Sequence, residues 1–109
     1  MAKITSLHEP FYIHPESNMY LAFIDGKHCQ SIDQFHIKIA EALQFPDYYG
    51  QNLDALDEML NDLEWINQDY ILLIIQRSHL WLSDDDEMKA VILQIFSDVS
   101  SKSFEIILK

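Results

Sequence analysis

The sequence predicts a small α/β domain, a three-stranded parallel sheet packed by helices in the order β-α-α-β-α-β. Three observations carry this. The runs 20-YLAFI-24 and 70-YILLII-75 are apolar without alternation, as buried strands are, and the second has the length and composition of a strand covered on both faces. Three other segments repeat their apolar residues at three- and four-residue spacing, the helical period. Strands separated by helical crossovers run parallel, because a short hairpin cannot join them.

The elements follow in order. Residues 1–19 carry Pro10, Pro15 and mixed polarity, and read as an N-terminal extension with at most a short strand around Phe11–Ile13. The domain proper is expected over residues 20–109. Its first strand, 20–24, closes on Asp25-Gly26, a turn signal. Ser31 with Gln34 has capping-box spacing and opens a helix whose apolar residues are Ile32, Phe35, Ile39 and Leu43. Pro46 ends that helical region. In the loop 45-FPDYYGQ-51, Gly50 can take a positive φ without a Cβ penalty. A second helix is expected over residues 52–63, with Leu53, Leu56, Leu60 and Leu63 on one stripe. The strand 70–75 follows, then a linking stretch 76–82 with room for one helical turn. Ser83 and the acids Asp84, Asp85, Asp86 and Glu87 read as an N-cap and first turn. Met88, Val91, Ile92, Ile95, Phe96 and Val99 continue that helix, and 104-FEIIL-108 is the last strand.

A chain of 109 residues, 49% hydrophobic, is one domain able to bury a core. The lone Cys29 excludes an intramolecular disulfide. The absence of a signal-like run or an 18-residue apolar stretch leads us to expect a soluble, cytoplasmic protein. Eighteen acids against seven bases give a net charge of −11. Direct nucleic-acid binding and anionic membranes are disfavoured by that charge, and a basic partner is favoured. The charge is also localised. From residue 39 to 76 there is no Lys, Arg or His, yet Glu41, Asp47, Asp54, Asp57, Glu58, Asp62, Glu64 and Asp69 all fall there. On the second helix Asp54, Glu58 and Asp62 lie opposite the leucines with Asp57 at their flank, although like charges four apart weaken a helix by about 0.2–0.5 kcal/mol each. Tyr48, Tyr49 and Trp65 are expected to be exposed within this block, and exposed aromatics amid one charge sign are typical of protein interfaces.

Catalysis finds little support. The histidines 8, 14, 28, 36 and 79 show no metal-binding spacing, and with only two glycines there is no phosphate-cradling loop. Neither metal nor cofactor is expected. Cys29 follows a strand and reads as a small packed side chain. Asp84–Glu87 lacks the alternating ligands and central glycine of a calcium loop, and acids in a first turn complement the helix dipole. Asp54 and Glu58 share one exposed helix face, so nothing splits their pKa values as an acid–base pair requires. The chain is expected not to be an enzyme.

The stretch 46-PDYYGQNLDALDEML-60 resembles the hallmark of the barstar family, whose type member inhibits the ribonuclease barnase. That hallmark is Pro-acid-Tyr-Tyr-Gly-x-Asn-Leu-Asp-Ala-Leu, matched here by Pro46, Asp47, Tyr48, Tyr49, Gly50, Asn52, Leu53, Asp54, Ala55 and Leu56. The similarity continues through 93-LQIFSDV-99 and the last strand. The resemblance implies a three-stranded parallel sheet with helices and a one-to-one complex in which the loop and second helix enter a ribonuclease active site. It implies contact roles for Tyr48, Gly50, Asn52 and Asp54, a central carboxylate at Glu58 in place of an RNA phosphate, and a peripheral acid at Asp98. Trp65 lies close to a further aromatic contact position. The family type has Asp where this chain has Glu58, and a tryptophan where it has Asp57, which implies a nuclease richer in positive charge around its site. An immunity partner for a secreted ribonuclease toxin is one such role. The alternative is an acidic module for a basic partner that is not a nuclease.

Overall fold

The computed structural model describes residues 2–6 and 18–109. The strands are β1 (Lys3–Ser6), β2 (Met19–Asp25), β3 (Tyr70–Gln76) and β4 (Ser103–Leu108). The helices are α1 (Ile32–Leu43), α2 (Leu53–Leu60) and α3 (Asp86–Ser97), with a 3₁₀ turn at Gly26–His28. All strand pairings are parallel, in the order β1-β4-β3-β2. The α/β class and the parallel sheet agree with the sequence, but the sheet has four strands rather than three. The added strand, β1, sets Lys3 opposite Glu105 and Ser6 opposite Leu108. Four residues with one large apolar side chain carry too little periodicity to announce a strand, and pairing along β4 supplies what propensity does not. The strand considered around Phe11–Ile13 lies outside the described residues.

The helices share one face of the sheet. Phe35, Ile39 and Leu43 of α1, Leu56 and Leu60 of α2, and Ile92 and Phe96 of α3 are buried with Ala22, Ile24, Ile71, Leu73, Ile75, Phe104 and Ile106. The opposite face forms a second cluster of Leu72, Ile74 and Ile107, with Met19, Leu21 and Tyr70 against it. This explains the unalternating β3: Ile71–Ile75 are all buried.

The anticipated capping box is present: Gln34 N donates to Ser31 Oγ at 3.3 Å and Ser31 N to Gln34 Oε1 at 3.4 Å. At the other end of α1, Gln44 turns left-handed with φ 55. Two of the last carbonyls, which the helix itself cannot satisfy, receive side chains: Tyr20 Oη donates to Ala42 O at 2.7 Å and Trp65 Nε1 to Leu43 O at 2.9 Å. Gly26 is required by close approach, since a Cβ there would lie 2.2 Å from Arg77 O and 2.9 Å from Trp81 N. Beside it Asp25 pairs with the Arg77 guanidinium, which draws the Asp25 carboxyl down to about 2. The bridge joins the C-terminal ends of β2 and β3.

Two helix boundaries differ from the sequence reading. Asp85, not Ser83, caps α3, accepting from Met88 N at 3.1 Å. The preceding residues are tied elsewhere: Leu82 N donates to Cys29 O at 3.0 Å, Asp84 N to Gln30 O at 3.1 Å, and Ser83 Oγ to Gln30 Oε1 at 3.2 Å. Helix α2 stops at Leu60 instead of running to residue 63. Asn61 closes it, and Ser101 Oγ takes the Leu60 carbonyl at 2.6 Å. Leu63 has φ 49, outside the helix, yet remains fully buried.

Candidate functional site

The loop 45–51 and α2 form one continuous unit packed on the core. Asn52 builds its hinge. The side chain caps α2, accepting from Ala55 N at 2.8 Å, and its amide reaches back to Gly50 O at 3.4 Å. The positive φ expected at Gly50 falls instead on Gln51, φ 51, and no glycine has a positive φ. At Gly50 the constraint is space, because a Cβ would come within 3.2 Å of Asn52 Nδ2.

Below the surface Leu56, Met59 and Leu60 are buried and Leu53 is half-buried. Above it Asp54, Asp57 and Glu58 are exposed on α2, and Asp62 is exposed in the turn that follows. Asp62 therefore does not extend the helical row. Asp57 Oδ1 accepts from Asn61 Nδ2 at 3.1 Å. Among the described residues, ion pairs join Asp25 with Arg77 and His28, and Glu41 with Lys38; none reaches these four carboxylates. The base that follows α3, Lys102, is committed to Ile66 O at 2.7 Å. Among the described residues the acidic face is uncompensated.

The three aromatic residues separate. Tyr48 is 74% exposed. Tyr49, expected at the surface, is buried at 9% exposure, and its hydroxyl lies 2.5 Å from His36 Nδ1. The turn in which Tyr49 N donates to Pro46 O at 3.0 Å sends the two neighbours to opposite sides. Trp65, also expected exposed, is half-buried, because its indole N–H closes the end of α1 and its ring meets Phe45 edge-on. Asp98 is exposed just after α3, where Gln94 Nε2 donates to it at 3.2 Å. Two residues on, Ser100 N donates to Asn61 Oδ1 at 3.4 Å, so the ends of α2 and α3 adjoin.

Cys29 is fully buried, and its Sγ donates to Asp25 O at 3.3 Å. Burial, reinforced by the Asp25 charge, pushes the thiol up to about 11, so the protonated thiol dominates at neutral pH. The neighbouring His28 faces Asp25 at 4.0 Å rather than the thiol. Asp85, Asp86 and Glu87 serve the N-terminus of α3. Sequence reasoning missed His36, which lies under the loop at 3% exposure. Its signal was available: it falls on the stripe of Ile32, Phe35 and Ile39.

Fold and face together define a small parallel α/β protein with a loop and helix free of Lys, Arg and His, acidic on the outside and packed into the core beneath. The chain belongs to the barstar family: the model of the family described as Barstar (barnase inhibitor) matches residues 19–106. A protein of Bacillus subtilis (strain 168) described as "Putative ribonuclease inhibitor YrdF" is 43% identical over 44 residues, which cover 40% of this chain and 46% of that relative. The match thus spans about half of the relative's length. No helix among the described residues is long and apolar enough to cross a membrane.

Proposed function

We propose that the chain is a protein inhibitor of a basic ribonuclease, acting in the cytoplasm by occluding the enzyme's cationic site one-to-one. Tyr48, Gly50 and Asn52 form the leading edge; Asp54, Asp57 and Glu58 provide the central carboxylates; Asp62 and Asp98 lie at the rim. The observation that carries this is the acidic face of α2, met by no cation among the described residues, above an underside packed through Leu56, Met59 and Leu60. A ribonuclease concentrates Lys, Arg and His around its phosphate site, and a rigid row of carboxylates can fill that site without being cleaved. Mutual repulsion costs stability in the free chain and is relieved on docking. Family membership and the name of the Bacillus relative support the same reading. The place of Asp57, where the family type has tryptophan, favours a partner with an additional cation. A producer of a secreted ribonuclease must protect its own RNA, and immunity to such a toxin is the role that fits. Tyr49 braces this surface from within, and Trp65, half-buried beside Phe45, borders it. Chemistry by Cys29 has no place in it.

The test is capture of proteins on the immobilised chain, followed by an RNA-hydrolysis assay on what is captured. The expected result is a small basic ribonuclease silenced at one equivalent of inhibitor. Capture of a basic protein with no RNA-hydrolysing activity would replace this reading with that of a general acidic binding module.

A further inference from the structure

Among the described residues His36 is the one polar or charged side chain buried in the core. It projects from the middle of α1, and its Nδ1 lies 2.5 Å from Tyr49 Oη. Tyr49 in turn stands edge-on to Phe45, ring centroids 4.8 Å apart, and Phe45 edge-on to Trp65 at 6.1 Å. A continuous line of contacts thus runs from inside α1 to the loop that carries Tyr48 and leads into α2. The other side-chain tie on the loop among the described residues is Asn52 Nδ2, which donates to Gly50 O at 3.4 Å. Among the described residues, the backbone between Asp47 and Gln51 makes one hydrogen bond to another backbone group, Tyr49 N to Pro46 O. Tyr48, the neighbour of the buried ring, is the exposed aromatic of the acidic unit.

We propose that His36 is a positioning residue for the partner-facing loop: by holding Tyr49 Oη from within the core, it fixes Tyr48 and the start of α2 in their docking geometry. The inference rests on the reading of that loop and helix as the docking surface. It carries a pH signature. Burial lowers the His36 pKa from its usual 6.5, and the charge of Asp33, one turn earlier on α1, opposes this less strongly. From the loop the titratable group facing the ring is Tyr49, which burial raises and so keeps neutral. The aromatic rings against the imidazole are those of Phe35 and Tyr49. A neutral ring shares one proton with the phenol. A protonated ring presents N–H to it, and the phenol hydrogen must turn away inside a closed pocket. The sign follows: the closed loop binds fewer protons than the open one, so closure weakens as pH falls.

The experiment compares amide hydrogen-exchange protection of residues 47–52 with that of β3 at pH 7.5 and pH 5.5. The proteins are the parent, Tyr49→Phe and His36→Gln. The expected result is that parent loop protection falls roughly five-fold or more in acid while β3 stays protected. Tyr49→Phe should lose loop protection at both pH values. His36→Gln, which keeps a polar group in reach but takes up no proton, should retain protection without the acid step. Loop protection in Tyr49→Phe equal to the parent's, or lost in parallel with β3, overturns the proposal. Inhibition of the ribonuclease captured on the immobilised chain separates the two levels of inference. A loss of roughly ten-fold in Tyr49→Phe with β3 intact supports the positioning role. Inhibition cut by Glu58→Ala but untouched by Tyr49→Phe overturns that role alone; inhibition untouched by either overturns the docking surface and the role with it.

Discussion

Glu58→Ala separates stability from binding. Glu58 is exposed near the C-terminal end of α2, four residues after Asp54. Its removal ends one like-charge contact, worth about 0.2–0.5 kcal/mol. It also removes a negative charge from the negative end of the helix, worth about 0.3–1 kcal/mol. No apolar contact is lost, because the packed side of α2 is that of Leu56, Met59 and Leu60. The variant should therefore be more stable by about 0.5–1.5 kcal/mol, raising Tm by roughly 2–6 °C for a domain of this size. Binding should move the other way. If Glu58 faces the ribonuclease's cations in a closed interface, its loss strands them unpaired at about 2–5 kcal/mol, a range for which barnase–barstar is itself a reference case. That is a Kd weaker by roughly 30-fold to several thousand-fold. Asp62, in the turn beyond the helix, is a rim acid and should cost less than about 1 kcal/mol. Glu58→Asp should fall between parent and Glu58→Ala if the partner's site suits the longer acid. Calorimetric melting and Kd by titration, for all three variants side by side, decide the matter. Equal, small binding losses for Glu58→Ala and Asp62→Ala would refute the phosphate-mimic reading and leave a diffuse charged surface.

The uncompensated face should steer association, so the on-rate with the captured partner should fall by roughly 10–1000-fold between low and high salt while the off-rate moves little; stopped-flow mixing at graded ionic strength measures both, and a flat on-rate removes steering. Cys29 should resist alkylation in the folded chain at pH 8, since its thiol titrates only near 11, and folded Cys29→Ala should inhibit as the parent does. Mass spectrometry after iodoacetamide treatment and an inhibition assay test this, and lost inhibition would bring catalysis or redox chemistry back into consideration. Gly26→Ala drives a methyl group into Arg77 O and Trp81 N and should cost about 1–3 kcal/mol or more in urea unfolding, whereas Gly50→Ala meets the Asn52 amide at 3.2 Å and Ala55 Cβ at an ordinary 3.6 Å and should cost less.

The sequence by itself determined what depends on near neighbours in the chain. Apolar spacing marks α1, α2 and α3; Ser31 and Gln34 mark the start of α1; the unbroken run 70–75 marks the strand buried on both faces. The acidic face of α2 was legible too, because Asp54, Asp57 and Glu58 take their side of the helix from their spacing to Leu53, Leu56 and Leu60. Tertiary structure decided whatever depends on distant partners. β1 becomes a strand only because β4 offers its edge. Helix α3 begins at Asp86 because Cys29 and Gln30 hold Leu82 and Asp84, and α2 ends at Leu60 because Asn61 and Ser101 claim its last carbonyls. Above all, Tyr48 and Tyr49 are chemically identical neighbours in the sequence. One is placed in solvent and the other in the core by the turn at Pro46 and by His36 waiting thirteen residues away, and no periodicity in a loop encodes that choice.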